Sequence, residues 1–327
     1  MDKMNFHVEK VGGQILHWCW PGITLTFPAE KPYIAGILNV TPDSFSDGGR
    51  YLQPAAAVEQ ALAMVRDGAC IIDVGGQSTR PGHVPISAEE EEQRVLPVLL
   101  ALQEAIQKAR QDVGQEDGQE VRQVVGQEDA DATAARFAAG PLISLDTDKP
   151  ALADKVLGLG LAHILNDESG GNPEMARIAA RYQVPLILMH RPAGMDRGSL
   201  TAVLEDLAAL RQLYIEAGLP GEYIALDPGL GFGKIYDENL AILNNCRQLQ
   251  ALGSPVYIGA SRKGFIGKAS GNPEAGGRLA GSLVAAVWAA LGGAAFVRVH
   301  DVKETAEALM MAQALMTNSL ADSKREI

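Results

Sequence analysis

The chain of 327 residues is long enough for one large domain or two small ones. Hydrophobic residues make up 47% and charged residues 21%, an ordinary balance that excludes an intrinsically disordered chain. The formal net charge of −12 argues against a nucleic-acid-binding protein, although it leaves room for a local basic site that holds a small anion.

The three cysteines, Cys19, Cys70 and Cys246, are scattered and form no CxxC motif. This usage predicts a reducing compartment and neither a disulfide framework nor a structural zinc site. The N-terminal sequence MDKMNFHVEK lacks the apolar core of a signal peptide. We therefore expect a cytoplasmic protein that does not associate with membranes.

The first thirty residues contain two short strand-like runs, FHVEK and QILHW, joined at Gly12-Gly13. A third run, ITLTF, follows before Pro28. This pattern predicts a short β-hairpin extension over residues 1–30 rather than a separate domain.

A regular alternation of apolar strand-like runs and helix-like segments begins at Tyr33. The strand-like runs cover 33–40, 70–76, 142–147, 163–167, 185–190, 223–229, 255–261 and 295–301. Continuous apolar strands are typical of a parallel sheet buried on both faces. The pattern predicts an α/β fold, a (β/α)8 TIM barrel over residues 31–322, with a doubly wound sheet as the alternative.

Two segments of this pattern need separate interpretation. The stretch from Leu279 to Val297 has no charged residue, yet its Ala and Gly content and Gly292-Gly293 favour a buried helix and strand over a membrane span. The second and third strands are unusually far apart because VGQED occurs twice within residues 113–136. We interpret 113–136 as a low-complexity insertion in an αβ connection, on the barrel face opposite the βα loops.

A polar residue follows or ends each of the eight predicted strands. In chain order these residues are Asn39, Asp73, Asp146, Asn166 with Asp167, His190, Asp227, Ser261, and Arg298 with His300. Because barrel enzymes place their chemistry at the carboxyl ends of the strands, the set predicts one convergent polar site. Its carboxylates and amide suit a flat heterocycle with N–H donors, whereas Arg262-Lys263 and Arg298 with His300 suit phosphate.

Several motifs of other enzyme classes are absent. DPGLGFGK lacks the first glycine and the Ser/Thr of a Walker loop, and the chain contains no GxGxxG or HExxH. A catalytic zinc is therefore not expected. A Ser/His/Asp triad stays open by residue count, although no GxSxG motif supports it.

Six strings closely resemble the dihydropteroate synthase family. They are GILNVTPDSFSDGG, IIDVGGQSTRPG, SLDTDKP, DPGLGFGK, SRKGFIG and RVHDVKET, and they occur in the family's order between about residues 33 and 310. The resemblance implies the (β/α)8 fold and the condensation of a dihydropterin methyl diphosphate with 4-aminobenzoate. It also implies Mg²⁺, a homodimer and sensitivity to sulfonamides.

The resemblance further implies roles for individual residues. Asp146, Asn166, Asp227 and Lys263 would hold the pterin, with Met189 beside it. Thr79, Arg298 and His300 would contact the diphosphate, Ser261 would lie near the aminobenzoate carboxylate, and Asn39 would bind magnesium. Loops with Asp43, Phe45, Asp47, Ser78, Thr79, Arg80 and Pro81 would close over the site. Lys263, Arg298, His300 and Asp47 are the residues we expect to act in catalysis.

The chain departs from the family pattern at three places. Gln77 stands where Glu is common, Glu168 stands where an apolar residue is usual, and MHRPAGM replaces MHMQG or MHMRG after the fifth strand. Two alternative functions stay open: a methyltetrahydrofolate methyltransferase of the same fold, and a non-catalytic paralogue that binds a pterin or a protein partner. SRKGFIG and RVHDV favour diphosphate chemistry over the methyltransferase.

Overall fold

The computed structural model describes residues 6–12, 15–41, 52–77, 84–115, 140–192 and 198–322. Within these ranges, eight parallel strands form one sheet with helices between them, so the TIM-barrel prediction is confirmed. The barrel strands are β4 (Tyr33–Asn39), β5 (Ile71–Gly75), β6 (Leu142–Thr147), β7 (Ile164–Asp167), β8 (Leu186–Met189), β9 (Ile224–Asp227), β10 (Tyr257–Ile258) and β11 (Phe296–Val299).

Each barrel strand pairs with the next strand in the chain, and β11 pairs with β4. The ring closes between β9 and β10, where the Leu226 N–H donates to the Pro255 carbonyl over 2.8 Å and Leu226 bridges to Val256. All eight predicted strands therefore exist. The strand β6 has its predicted bounds, and the other seven are shorter than predicted because the predicted runs included adjoining loop residues.

Nine helices flank the barrel in the described ranges. They are α1 (Leu52–Arg66), α2 (Ala88–Gln115), α3 (Pro150–Gly158), α4 (Pro173–Tyr182), α5 (Leu200–Glu216), α6 (Tyr236–Asn244), α7 (Gly264–Ser270), α8 (Leu279–Leu291) and α9 (Val302–Asp322). Ser87 caps the start of α2, because its Oγ accepts from the Glu90 N–H at 3.1 Å. The uncharged stretch is the helix α8 followed by β11, as predicted. No described helix is both long and apolar enough to cross a membrane.

The N-terminal extension is a three-stranded antiparallel sheet, so the predicted hairpin is corrected by one strand. Its strands are β1 (His7–Val11), β2 (Ile15–Trp20) and β3 (Ile23–Phe27). Trp18, Trp20, Leu25 and Phe27 are buried against the first inward residues of the barrel strands, including Phe296. The extension therefore covers the amino-terminal end of the barrel and leaves the carboxyl-terminal end as the place for a site.

The predicted insertion at 113–136 lies almost wholly outside the described residues. Its preceding helix α2 ends at Gln115, and β6 begins at Leu142, so it connects a helix end to a strand start. We expect that replacing 113–136 with a short Gly-Ser link leaves turnover nearly unchanged, because αβ connections of a barrel lie on the face opposite the active site. Stability should also change little, because lengthening a surface loop costs only about 0.6 kcal/mol per doubling. Steady-state kinetics and thermal unfolding of the deletion protein test this. A folded deletion protein with strongly reduced turnover would contradict the placement.

Candidate active site

The alternation of side chains along the barrel strands decides which polar residues face the barrel interior. Ile164 and Ala225 pack inside the barrel, whereas Leu165 and Leu226 pack outside it against the helices. Because neighbouring residues of a strand point to opposite faces, the inward positions at the carboxyl ends can be read directly. They are Asn39, Gly75, Asp146, Asn166, Met189, Asp227, Arg298 and, beyond the strands, Ser261 and His300.

Arg298 is the electrostatic centre of this inward set. Its Nε donates to Asp73 Oδ2 over 2.5 Å, and its Nη2 donates to Asp146 Oδ2. Asn166 Nδ2 also donates to Asp73 Oδ2, over 3.2 Å. Asp73 is completely buried, so its carboxylate oxygens find their hydrogen-bond donors in these two side chains. The guanidinium thus ties three strands together beneath the barrel mouth.

Asp146 has one carboxylate oxygen without a partner. Its Oδ1 is buried and accepts no hydrogen bond within the described structure, while Oδ2 is held by Arg298. Burial raises the pKa of Asp146 well above its ordinary value, Glu168 raises it further, and Arg298 opposes both. A buried acceptor in this state suits a ligand that brings its own N–H donor.

Asp227 is the second inward carboxylate at the mouth. Its Oδ1 accepts from the Gly229 N–H over 2.7 Å, which holds the carboxylate at the start of the β9–α6 loop. Burial raises the pKa of Asp227 to about 6, against the lowering effects of the Gly229 N–H and Lys263. Asp227 is therefore ionised at neutral pH, and Met189 lies beside it in the register of β8 with β9.

Lys263 begins the helix α7 and lies over the ring of Phe232, with Nζ 3.9 Å from the ring centroid. Burial lowers the pKa of Lys263, and the carboxylates of Glu168 and Asp227 act against that lowering. Glu168 is 5% exposed and lies directly after β7, two residues beyond the inward-facing Asn166. The departure from an apolar residue thus adds a fourth carboxylate to the site.

Ser261 and His300 form a pair on the last two strands. The Ser261 Oγ lies 3.0 Å from His300 Nδ1 and accepts from the His300 N–H over 3.2 Å. Burial lowers the pKa of His300 to about 3, and Arg298 lowers it further. His300 is therefore neutral at neutral pH. With Nδ1 accepting from Ser261, the proton on Nε2 is available for donation to an anion.

Gln77 anchors the base of the β5–α2 loop. Its Oε1 accepts from Lys149 Nζ over 2.9 Å and from the Ile86 N–H over 3.0 Å. Lys149 is also paired with Glu91 and Asp148, at 2.9 and 2.8 Å. The Gln77 amide thus accepts from a lysine that already has two carboxylate partners. Having Gln in place of Glu at this position therefore affects contacts at the base of the loop and not the residues at the barrel mouth.

Three residues of the predicted polar set do not converge on the site. Asp167 points outward, where its Oδ1 accepts from the Ser169 N–H over 2.7 Å and its Oδ2 from the Tyr214 hydroxyl. His190 also points outward, with Nε2 3.1 Å from Asp206 Oδ2. Arg262 is paired with Asp301 and so stabilises the β10–α7 loop; it does not join Lys263 and Arg298 in the site. Asp167 and His190 each come directly after an inward-facing residue, and neighbouring residues of a strand point to opposite faces, so both point outward.

The structure brings together Asp146, Asn166, Met189, Asp227, Ser261, Lys263, Arg298 and His300 from the predicted site. Of the predicted loop residues, Asp43, Phe45, Asp47, Ser78, Thr79, Arg80 and Pro81 lie outside the described residues. Asp73 belongs to the predicted polar set but has no predicted role of its own, and the structure shows that it is the buried partner of Arg298. The feature of the sequence that points to such a role is a carboxylate inside an apolar run.

Asn39, at the inward end of β4, is the residue predicted to bind magnesium. A side-chain amide oxygen suits Mg²⁺, which is commonly held by one or two protein ligands together with water and substrate phosphates. In the described part of the chain, the one cluster of three His, Cys, Asp or Glu ligands is His7, Glu9 and Cys19, in the N-terminal sheet. Asn39 thus offers one oxygen donor, which would suit an ion that takes its other ligands from water or a bound anion.

Comparison with known proteins places the chain in a family. The family model of pterin binding enzymes matches residues 35–113 and 111–300. The dihydropteroate synthase of Clostridium beijerinckii is 38% identical over 286 residues, which cover 86% of this chain and 93% of that protein.

Solved structures give the same result. The dihydropteroate synthase of Xanthomonas albilineans with 4-aminobenzoic acid has a TM-score of 0.73 at 35% identity and covers 90% of this chain and 95% of its own. The same enzyme in complex with 7,8-dihydropteroate has a TM-score of 0.70 at 33% identity, with coverages of 88% and 94%. The chain belongs to the pterin-binding enzymes and, within them, to the dihydropteroate synthase family.

Proposed function

We propose that this protein condenses a (7,8-dihydropterin-6-yl)methyl diphosphate with 4-aminobenzoate, giving 7,8-dihydropteroate and diphosphate. The methylene carbon loses its bond to the diphosphate oxygen, which departs with the electron pair, and the arylamine nitrogen forms the new bond and loses a proton. The observation that carries this proposal is the pairing, at one barrel mouth, of buried carboxylates that suit an N–H edge with cations that suit an anion.

The carboxylates define the pterin subsite. Asp227 would accept two bonds from adjacent N–H groups of the ring, and the unpartnered Oδ1 of Asp146 would accept a third. Asn166 would complete this polar edge, with Met189 packing beside the ring. Negative charge around the ring also favours positive charge developing on the methylene carbon as the leaving group departs.

The opposite side of the mouth would bind the diphosphate. Arg298 and the Nε2–H of His300, with Thr79 from the β5–α2 loop, would hold its oxygens, and Asn39 would hold Mg²⁺. Lys263 would hold the pterin. When bound, Mg²⁺ neutralises charge on the leaving group. Ser261 would lie near the carboxylate of 4-aminobenzoate. Closure of the loops with Asp43, Phe45, Asp47, Ser78, Arg80 and Pro81 would exclude water, which otherwise competes with the weakly nucleophilic arylamine.

Incubation of the purified chain with both substrates and Mg²⁺ tests the proposal. We expect dihydropteroate and diphosphate to form in equal amounts, and neither to form when 4-aminobenzoate is omitted. Methyl transfer from methyltetrahydrofolate to an acceptor would favour the methyltransferase alternative. Tight pterin binding without product, under conditions in which a known synthase turns over, would identify a non-catalytic paralogue.

Replacing Lys263 with Ala should weaken the handling of both substrates. The ammonium lies over Phe232 at the root of the β10–α7 loop, between the pterin edge and the strand that carries Ser261. We expect KM for the pterin substrate and KM for 4-aminobenzoate to rise together in steady-state kinetics, since the loss of a buried charged hydrogen-bonding group costs about 1.5–3 kcal/mol. Changes below about twofold in both parameters would show that the lysine serves only the turn.

A homodimer formed through α6, α7 and α8 is part of the proposal. These helices enclose an apolar groove, and Val284 and Trp288 on α8 are 65% and 48% exposed. Such a contiguous apolar face is typical of an interface between subunits. We expect Trp288→Glu to shift the protein from dimer to monomer in sedimentation analysis, whereas Leu159→Glu, at an exposed site on another face, should leave the dimer intact.

Two finer expectations accompany this proposal. Sulfonamides resemble 4-aminobenzoate in shape and charge, so they should compete with it in the assay above. None of the three cysteines forms a disulfide in the described structure, and the reducing compartment and the cytoplasm stay predictions.

A further inference from the structure

The side chain of Lys234 places its ammonium group inside the curve of the β9–α6 loop, residues 228–235, and has no role in the site described so far. Its Nζ donates to the carbonyl oxygens of Gly229 and Phe232, over 2.9 and 3.2 Å, and lies 3.4 Å from the His190 carbonyl oxygen. It also lies 2.9 Å from His190 Nδ1. Four acceptors therefore surround one ammonium group, which has three hydrogens to donate.

A chain of polar contacts connects this ammonium to the helix α5. Because His190 Nδ1 accepts from Lys234, its Nε2 carries the ring proton and donates to Asp206 Oδ2, 3.1 Å away. His190 is almost completely buried, so its orientation is determined by these two partners. The lysine thereby attaches the β9–α6 loop to the end of β8 and to α5.

The shape of this loop determines where two residues of the proposed site lie. Gly229, Gly231 and Gly233 have φ values of +66°, +81° and +60°, which residues other than glycine rarely adopt. The first presents its N–H to Asp227, and Phe232 carries Lys263 on its ring. A Cβ on Gly231 would lie only 3.0 Å from Lys263 Cδ, so the loop and this lysine are in direct contact.

We propose that Lys234 is a positioning residue for the condensation, acting through the β9–α6 loop on Asp227 and Lys263. The inference rests on the proposed function, because it concerns the pterin subsite of that reaction. Removal of the ammonium takes a donor away from three carbonyl oxygens, of which that of Gly229 keeps the Phe232 N–H at 3.1 Å, and it allows the loop to relax away from the barrel mouth. It also removes a positive charge that acts on Asp227.

The charged and titratable groups that face Lys234 are Asp227, Glu238, Lys263, Asp206 and His190. Burial lowers the pKa of Lys234 to about 8, so the group is cationic at neutral pH. Lys234 and Lys263 both lower the pKa of Asp227, and only the first is removed in a Lys234 variant. The pKa of Asp227 should then rise above about 6.

Calorimetry of the full chain with a dihydropterin, from pH 5 to 8, compares Lys234→Met with the wild type. We expect about tenfold or more weaker affinity at pH 7.5 with an unchanged circular dichroism spectrum. We also expect the acidic limb of the affinity profile, set by Asp227, to move to higher pH, which a purely structural role of Lys234 would not cause. The control is Lys155→Met, which removes an exposed ion pair with Glu92 and should leave both quantities unchanged.

Wild-type affinity and an unmoved acidic limb in folded Lys234→Met would overturn the inference. If that variant does not fold, the affinity of Asp206→Ala is measured instead. Asp206 is partly exposed, and its replacement removes the contact between His190 and α5. A severalfold loss of affinity in Asp206→Ala supports the positioning role, and wild-type affinity overturns it. Failure of the wild type itself to bind a dihydropterin would instead contradict the proposed function.

Discussion

Arg298→Met should abolish turnover and lower the free energy of unfolding by about 3–5 kcal/mol, the cost of breaking a buried ion pair from one side. The guanidinium is bound to Asp73 and Asp146, and both carboxylates are buried. Without it they must either stay ionised in a poorly solvated environment or take up protons. Urea unfolding at pH 7.5, together with the turnover assay, measures both effects.

Two comparisons separate this ion-pair effect from the loss of packing. Arg211→Met removes a partly buried guanidinium that donates to Ser254 Oγ and the Gly221 carbonyl, so it should cost only about 1 kcal/mol and leave turnover intact. The double variant Asp73→Asn/Arg298→Met should recover part of the lost stability, because one unpaired carboxylate is then neutral. Equal stability of the Arg298 and Arg211 variants would contradict the assigned role of the ion pairs.

Asp227→Asn should weaken dihydropterin binding at least tenfold and at the same time stabilise the ligand-free protein. An amide cannot accept from two adjacent N–H donors, and a buried donor left unpaired costs about 1–3 kcal/mol. The ionised carboxylate, however, is unfavourable in the free protein, since burial raises its pKa to about 6. The difference between this pKa and the ordinary value of 3.8 corresponds to a destabilisation of the folded protein by at most about 3 kcal/mol, which the uncharged amide avoids.

The sign of the pH dependence follows from the raised pKa. Between about pH 4 and 6 the folded state binds the Asp227 proton more tightly than the unfolded state, so the cost of ionisation is complete above about pH 6 and vanishes toward pH 4. The stability gain of Asp227→Asn should therefore be largest at pH 7–8 and shrink on acidification. Urea unfolding of both proteins across this range measures it.

The matched control is Asp167→Asn. Asp167 is equally buried and its pKa is also raised to about 6, but it points away from the barrel interior toward Tyr214. We expect this variant to keep dihydropterin affinity within about twofold of the wild type. If both variants lost affinity equally, Asp227 would have no specific place in the pocket.

The strand order and the inward carboxylates could be predicted because a parallel barrel is repetitive. Each apolar run ends in a polar residue, and the shared geometry of strand ends brings those residues together. Asp146, Asn166 and Asp227 were identified on that basis, and their inward positions agree with it. What the runs did not reveal was which of two adjacent polar residues faces inward, as with Asn166 and Asp167.

That ambiguity arises because a one-residue shift in a strand reverses every side chain. For the same reason the sequence did not show that His190 points outward, where its partner Lys234 lies 44 residues later in the chain. The pairing of Asp73 with Arg298 joins β5 and β11, which lie on either side of β4 because the last strand of the chain pairs with the first barrel strand. Contacts of this kind depend on the completed barrel rather than on any local sequence pattern.

A crystal structure of the protein with a dihydropterin and 4-aminobenzoate tests the central claim most directly. We expect the N–H edge of the pterin within 2.7–3.2 Å of Asp227 and of the Oδ1 atom of Asp146. The exocyclic methylene should point toward Lys263 and His300, with the carboxylate of 4-aminobenzoate near Ser261. A pterin bound elsewhere, or one bound at the mouth with Asp146 Oδ1 still lacking a donor, would contradict the assignment of this barrel mouth as the condensation site.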